Sequence, residues 1–261
     1  MNNSALFGPS PRRRFAGWVL LAATAVLAGS GNGRGEDWPR EIPKDGAWVR
    51  YHEEVQDLAK REKYAPVKTT LSFVGTVVEE GQTCRWLEKK SILPEGEDGA
   101  GTYVVKALVP EKELWESETP FAHVRRAWVL RPNEQPIEMP PRSLVTNANK
   151  VFQELLLWTP GMLKNSGTAA DQSKDIDYQP GRLKGAIART GTLADRGTGP
   201  GRTEMSYIAW QHADLPIGAG EVKITKEFFI NRQKTPQRRT SIIYQIEDVG
   251  TDAKSMLPNN N

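Results

Sequence analysis

The chain has 261 residues, 38% hydrophobic and 26% charged, enough to bury one core as a single domain. Its formal charge of +3 comes from Arg12, Arg13 and Arg14, because residues 1–28 carry no acid and the remainder is neutral. A neutral chain with interspersed charges lacks the footprint of a nucleic-acid binder, and a single cysteine, Cys84, cannot make an internal disulfide.

Arg12-Arg13-Arg14 runs straight into the apolar stretch Phe15–Ala28, which ends in the small residues of Val26-x-Ala28. A positive start, a short apolar run and a small-residue cleavage site predict a secretory signal peptide over 1–28. The run is too short and wrongly flanked for a membrane-spanning helix, so no transmembrane segment is expected in the mature chain. No cysteine stands at the boundary to be acylated, which predicts an exported protein, periplasmic or extracellular, without a lipid anchor. Residues 29–45 are rich in Gly, Pro and charge and read as a flexible lead-in, leaving 46–258 as a single β-rich domain.

Ala47–His52 opens a strand. Residues 67–92 make the best hairpin: Val67, Leu71, Phe73, Gly75 and Val77 share one parity, Glu79–Gln82 turns, and Thr83–Ile92 returns with Cys84 and Trp86 on one face. After the polar turn 94–99, Thr102–Val109 is a strand, and Pro110–Trp115 a short helix with Pro at its first turn. Phe121–Leu130 fits either a helix or a strand. Ser143–Trp158 carries three-and-four apolar spacing, a helix signal ended by Thr159-Pro160-Gly161. Residues 161–180 and 191–202 read as long surface loops flanking a weaker strand, Leu183–Arg189.

The last third alternates again: Thr203–Trp210, Glu221–Ile230 and Thr240–Val249 form a meander. In the middle strand Val222, Ile224, Phe228 and Ile230 share a parity that only Lys226 interrupts. Strands at both ends with helical material between them predict an α+β domain, an antiparallel sheet with helices on one face.

Little in the chain declares chemistry. His52, His123 and His212 are scattered, and Cys84 stands alone, so no metal site is expected. Asp171, Asp175 and Asp177 hint at a calcium loop, but counting from Asp175 the sixth position is Pro180 where such a loop needs glycine. There is no Gly-x-Ser-x-Gly elbow, phosphate-binding glycine loop or dinucleotide fingerprint. No cofactor is expected and no catalytic residue stands out, although His212 and Asp214 are placed to pair. The connection carrying Arg232, Lys234, Arg238 and Arg239 is the one basic cluster outside the leader. It reads as a solvated hairpin loop that discourages edge pairing, or as a site for an acidic headgroup or polyanion. Among the tryptophans and phenylalanines, Phe73, Trp86, Trp210 and Phe228 are the candidates for core or for an apolar ligand groove.

The stretch from Trp210 through Leu215-Pro216-Ile217-Gly218 to Val222-Lys223 resembles a segment of bacterial exported proteins of the LolA/LolB-like lipoprotein-carrier type. Pro43–Tyr51, Gly81–Glu88 and Asp252–Pro258 resemble a family of uncharacterised bacterial secreted proteins. This resemblance implies a strongly curved antiparallel sheet, a half-barrel, with helices plugging its concave face; such folds hold acyl chains or act as periplasmic scaffolds. It supplies no catalytic residue. The expectation is an exported non-enzymatic protein that binds an apolar or amphiphilic ligand, a lipid for example, or an envelope protein partner. The alternatives are an envelope hydrolase and a structural or interaction protein of the cell envelope.

Overall fold

The computed structural model describes residues 42–96, 100–117, 119–140, 167–179, 181–195, 201–230 and 233–258. The expected leader, most of the lead-in, the expected helix Ser143–Trp158 and Arg232 lie outside the described residues.

Among the described residues twelve strands, paired antiparallel throughout, make one sheet. They are β1 (Trp48–Asp57), β2 (Glu62–Lys63), β3 (Val67–Glu79), β4 (Gln82–Leu93), β5 (Gly101–Pro110) and β6 (Arg126–Leu130). The rest are β7 (Ile137–Glu138), β8 (Gly167–Tyr178), β9 (Gly181–Asp195), β10 (Gly201–Gln211), β11 (Glu221–Ile230) and β12 (Arg238–Gly250). The spatial order is β7-β6-β5-β4-β3-β1-β12-β11-β10-β9-β8, with β2 beside β1. The first strand is therefore central. From it one meander runs out to β7, and a second returns from the β8 edge and ends on β12, pairing the two ends of the domain.

The hairpin of residues 67–92 forms as its alternation predicts. Its two-residue turn, Glu80-Gly81, has φ of 51° and 75°, the left-handed pair that a tight hairpin requires and that glycine adopts without strain. One detail departs from the sequence expectation. A bulge between Phe73 and Gly75 shifts the register, and an extra residue sends all later side chains to the opposite face. Phe73 and Val77 therefore lie on different faces: Phe73 belongs to one apolar cluster, while Val77 packs on the other with Cys84 and Trp86.

Two further expectations are corrected. The segment 161–180, expected as loop, contains β8, which pairs along β9, and β9 and β10 extend into the other expected loop, 191–202. β8 is an edge strand, and among its residues with described burial Gln172, Ser173, Asp175 and Asp177 are exposed and Ile176 is buried, so period-two burial is weak there. Phe121–Leu130 divides between a 3-10 turn (Pro120–His123) and β6. Regular helix among the described residues is a single short one, α1 (Glu111–Glu116), whose Leu114 is buried in the larger cluster.

The sheet curls. Residues of β8 come within 8 Å (Cα–Cα) of β12, four places away in the strand order, whereas strands in a flat sheet are spaced by about 4.8 Å. The larger apolar cluster fills the concave side, with Val49, Leu71, Val105, Tyr207, Ile224 and Ile242 on its floor and Ile42, Leu114, Phe121, Leu215 and Ile217 over one end. On the convex side a smaller cluster, Val74, Cys84, Trp86, Val104, Leu108 and Trp128, is covered by Leu257 of the C-terminal tail.

Candidate functional site

The concave floor turns polar away from the filled end. Glu53 on β1, Thr69 on β3, Ser91 and Lys89 on β4 and Lys226 on β11 occupy parity positions that elsewhere hold aliphatic core residues. Thr69 donates its hydroxyl hydrogen to Glu53 Oε2 at 2.8 Å, and its oxygen lies 3.2 Å from Ser91 Oγ. Because the Thr69 proton is committed to the carboxylate, Ser91 is the donor in the second bond. Tyr244 on β12 also hydrogen-bonds Glu53, and its ring meets Tyr51 edge-on at 6.1 Å. The Tyr51 hydroxyl donates to the Ala219 carbonyl at 3.2 Å. Glu53 is thus a fixed carboxylate held by hydroxyl groups.

Two ammonium groups share the neighbourhood of this one carboxylate. Burial pushes Lys89 below the usual lysine range, against the opposing pull of Glu53. Lys226 is pushed down to about 8, first by burial and then by the Lys89 charge, with Glu53 again opposing. That β4 and β11 side chains feel each other's charge follows from the curvature, since three strands separate them in the sheet order. Burial and Glu53 together hold the Tyr244 hydroxyl well above its ordinary range.

The four aromatics singled out in the sequence do not share one surface. Phe73 is core on the concave side, with the Arg85 guanidinium 5.2 Å from its ring centre. Phe228 lies on the same side, with its ring against Gly201, and is 38% exposed. Trp86 is buried on the convex side beneath Lys106, whose Nζ is 4.6 Å from the ring centre. Trp210 is half-buried and packs against the larger apolar cluster, with Lys174 and Lys223 at 3.8 and 5.3 Å from its ring centre. Both lysines also bond Glu221, so this group is a closed ion-pair network.

The basic connection is partly neutralised. Arg238 pairs with buried Asp57 at 3.6 Å and donates to the Tyr64 hydroxyl, and Arg239 pairs with Glu227 at 3.1 Å. Lys234 is exposed on the loop between. His212 Nε2 lies 3.1 Å from the Lys184 carbonyl, and Nδ1 accepts the Asp214 backbone N–H at 3.2 Å. An imidazole that donates at one nitrogen and accepts from backbone at the other is a turn staple, and neither nitrogen is left for a proton transfer. Among the described residues no group of three or more His, Cys, Asp or Glu is gathered as metal ligands.

Lys89, Lys226, Glu53 and Thr69 were not singled out as site residues by sequence reasoning. One signal was there: Lys226 is the single interruption of the β11 apolar parity. A cation on a core parity either snorkels out or faces something, and the partner elements could be named only once the sheet was seen to curl.

No protein-family model matches the chain, and no curated protein matches it. Among solved structures the chain is similar to a LolA superfamily protein from Nitrosomonas europaea, at 12% identity and a TM-score of 0.29, with 84% of this chain and 90% of that chain covered.

Proposed function

We propose that this chain is an exported, non-enzymatic binding protein of the cell envelope that holds an apolar or amphiphilic ligand on the concave face of its sheet. The observation that carries the reading is Phe228. It stands 38% exposed on the face that elsewhere buries Met205, Tyr207 and Ile224 almost completely. Uncovered aromatic surface continuous with a core, on a face that also carries half-buried Val55, Val67 and Tyr103, is the composition of a ligand groove: mostly apolar, with a few fixed polar groups. Export rests on the leader-like start of the sequence, and among the described residues no helix is long and apolar enough to cross a membrane.

Within this reading Phe228 is the ligand contact and Phe73 the core residue beneath the filled end. Trp86 braces the convex side, Trp210 packs against the larger cluster, and Lys234 lies with Arg238 and Arg239 on the outer basic connection. Native mass spectrometry of the exported chain, purified without detergent, tests the proposal. A mass excess that vanishes after organic extraction supports it and gives the ligand class. A bare polypeptide mass that also takes up no added apolar probe overturns it.

A further inference from the structure

We infer that a cleft on the convex face, where the turn joining β8 to β9 meets β1, β3 and β12, is a second binding site, one for a neutral saccharide. The cleft measures about 570 Å3, and Arg50, Lys68, Gln179, Glu247 and Asp248 line it. Strand alternation sets its face: Val49 and Tyr51 point into the concave core, so Arg50 between them points the other way, together with its register partner Asp248. Lys68 is the register partner of His52 on that same face. Gln179 reaches the cleft from the hairpin end of β8 and β9. That end is held by Asp175, which accepts from the Gly185 N–H at 2.9 Å and from Arg182 at 2.8 Å, and by Tyr178, which packs against the larger apolar cluster.

The lining selects its ligand by exclusion. Its formal charges cancel, Arg50 and Lys68 against Glu247 and Asp248. Both acids fix Arg50, whose Nη2 donates to Asp248 Oδ2 at 2.5 Å and whose Nε lies 3.5 Å from Glu247 Oε2. An anionic ligand meets two carboxylates here, and a cationic one meets a guanidinium and an ammonium. An apolar ligand finds no aliphatic or aromatic side chain in the lining. What the cleft offers is hydrogen bonding in both senses. Among the described residues no acid lies within ion-pairing distance of the Lys68 ammonium, and the Gln179 amide has no hydrogen-bond partner. Free ammonium donors, a free amide with a donor and an acceptor, and the remaining lone pairs of two carboxylates suit hydroxyl groups, each of which donates and accepts at one atom. A sugar carries several such groups on a rigid ring, and the volume falls within the roughly 300–1,000 Å3 of small-ligand sites.

The test titrates the full exported chain, isotopically labelled for nuclear magnetic resonance, with three disaccharides: maltose and N,N′-diacetylchitobiose, both neutral, and digalacturonate, a dianion. His52 lies 3.7 Å from Glu247, so the titrations are run at about pH 8, above the ordinary histidine range. At least one neutral disaccharide is expected to move the Arg50 Nε–H and Gln179 amide resonances. Its half-saturation is expected at about fivefold or more lower concentration than that of digalacturonate, the scale of one exposed charge interaction. Asp248→Asn leaves one positive charge in excess and is expected to favour digalacturonate, whereas Lys68→Gln leaves one negative charge in excess and is expected to widen the original gap. Digalacturonate binding as tightly as the neutral sugars on the unaltered chain overturns the ligand class. No movement of the Arg50 and Gln179 resonances with any of the three overturns the site. An order that Asp248→Asn leaves unchanged overturns the role of charge balance, and should that variant fail to fold, an unwidened gap in Lys68→Gln, a change at an exposed side chain, overturns it instead. The concave-face reading stands or falls separately, on its own mass measurement.

Discussion

Glu88 and Lys106 are register partners on β4 and β5, and both are almost wholly buried on the convex side, at 3% and 0% exposure, because the C-terminal tail lies over them. Glu88 accepts from the Ser255 hydroxyl at 2.7 Å and from the Met256 backbone N–H at 3.2 Å. Lys106 donates to the carbonyls of Leu257 at 3.3 Å and Pro258 at 3.1 Å. Buried charges are tolerable only when their remaining hydrogen-bonding capacity is met, and here the tail backbone meets it.

The first prediction follows from that arrangement. Glu88→Ala leaves Lys106 buried without its counter-charge and is expected to lower unfolding stability by about 3–5 kcal/mol. Ser255→Ala alone is expected to remove about 1 kcal/mol. Because Ser255 shares the Glu88 carboxylate but also bonds the Leu257 backbone, Ser255→Ala should cost less, though not nothing, in the Glu88→Ala background. Urea titration of the four proteins checks this cycle, and additive losses would show that the tail is held elsewhere.

The same lysine sets a pH dependence. Burial, the leading cause, holds both Lys106 and Lys226 down to about 8, while in the unfolded chain they titrate near 10.4. Between these values the unfolded state binds more protons, so stability rises with pH through that window and the gain is lost as pH falls through 8. Tyr51 and Tyr244 act oppositely: burial holds both well above 10, so above that pH only the unfolded state ionises and stability falls. Thermal unfolding is expected to show a midpoint climbing from pH 7.5 to about 10 and dropping beyond it. Lys106→Met should flatten part of the climb. A midpoint that falls steadily from pH 7.5 to 9.5 contradicts the burial of these amines.

Much of the sheet was legible where pairing is local and one face is dry. The β3–β4 hairpin and the strands β11 and β12 declare themselves by alternation, since Ile242, Tyr244 and Ile246 must all point to one side. β8 was not legible, because an edge strand with Ser173, Asp175 and Asp177 in solvent has little apolar rhythm to detect. Nor was the pairing of β1 with β12, which joins Arg50 to Asp248 across the length of the domain. The site was half legible. Lys226 broke a parity in plain view, but its relation to Lys89 and Glu53 depends on curvature that no local pattern encodes.

Gly46 provides a backbone prediction. Its N–H bonds the Phe73 carbonyl at 2.7 Å and its carbonyl accepts from Ala253 at 2.9 Å, so it links β3 to the C-terminal tail. Its φ is +93°, and a Cβ there would stand 2.3 Å from the Thr251 carbonyl oxygen. Gly46→Ala therefore meets both strain and a backbone clash and is expected to cost about 2–3 kcal/mol or more. Gly81, at φ +75° with nothing near its missing Cβ, is the control. Gly81→Asn should cost under about 1 kcal/mol, because asparagine tolerates the left-handed region. Equal losses in chemical denaturation would place the constraint at Gly46 in φ alone.

Cys84 reports on the same convex layer. It is fully buried in the convex cluster that also contains Trp86 and Leu257, its thiol faces the Gln82 carbonyl at 3.6 Å, and burial, with Glu79 beside it, raises its pKa. Since the thiolate is the reactive form, the native chain at pH 8 is expected to react with an aromatic disulfide reagent far more slowly than free cysteine, and to run as a monomer without reductant. Reactivity should appear with urea along the unfolding transition. Glu88→Ala, which removes the carboxylate that holds Ser255 and Met256, should speed the reaction at urea concentrations where the rest of the sheet remains folded. Acceleration in that variant, with strand circular dichroism unchanged, identifies the tail as the cover of the convex cluster. A rate unaffected by Glu88→Ala shows instead that Cys84 opens only with the whole sheet, and that β3–β5 stay closed without the tail contacts.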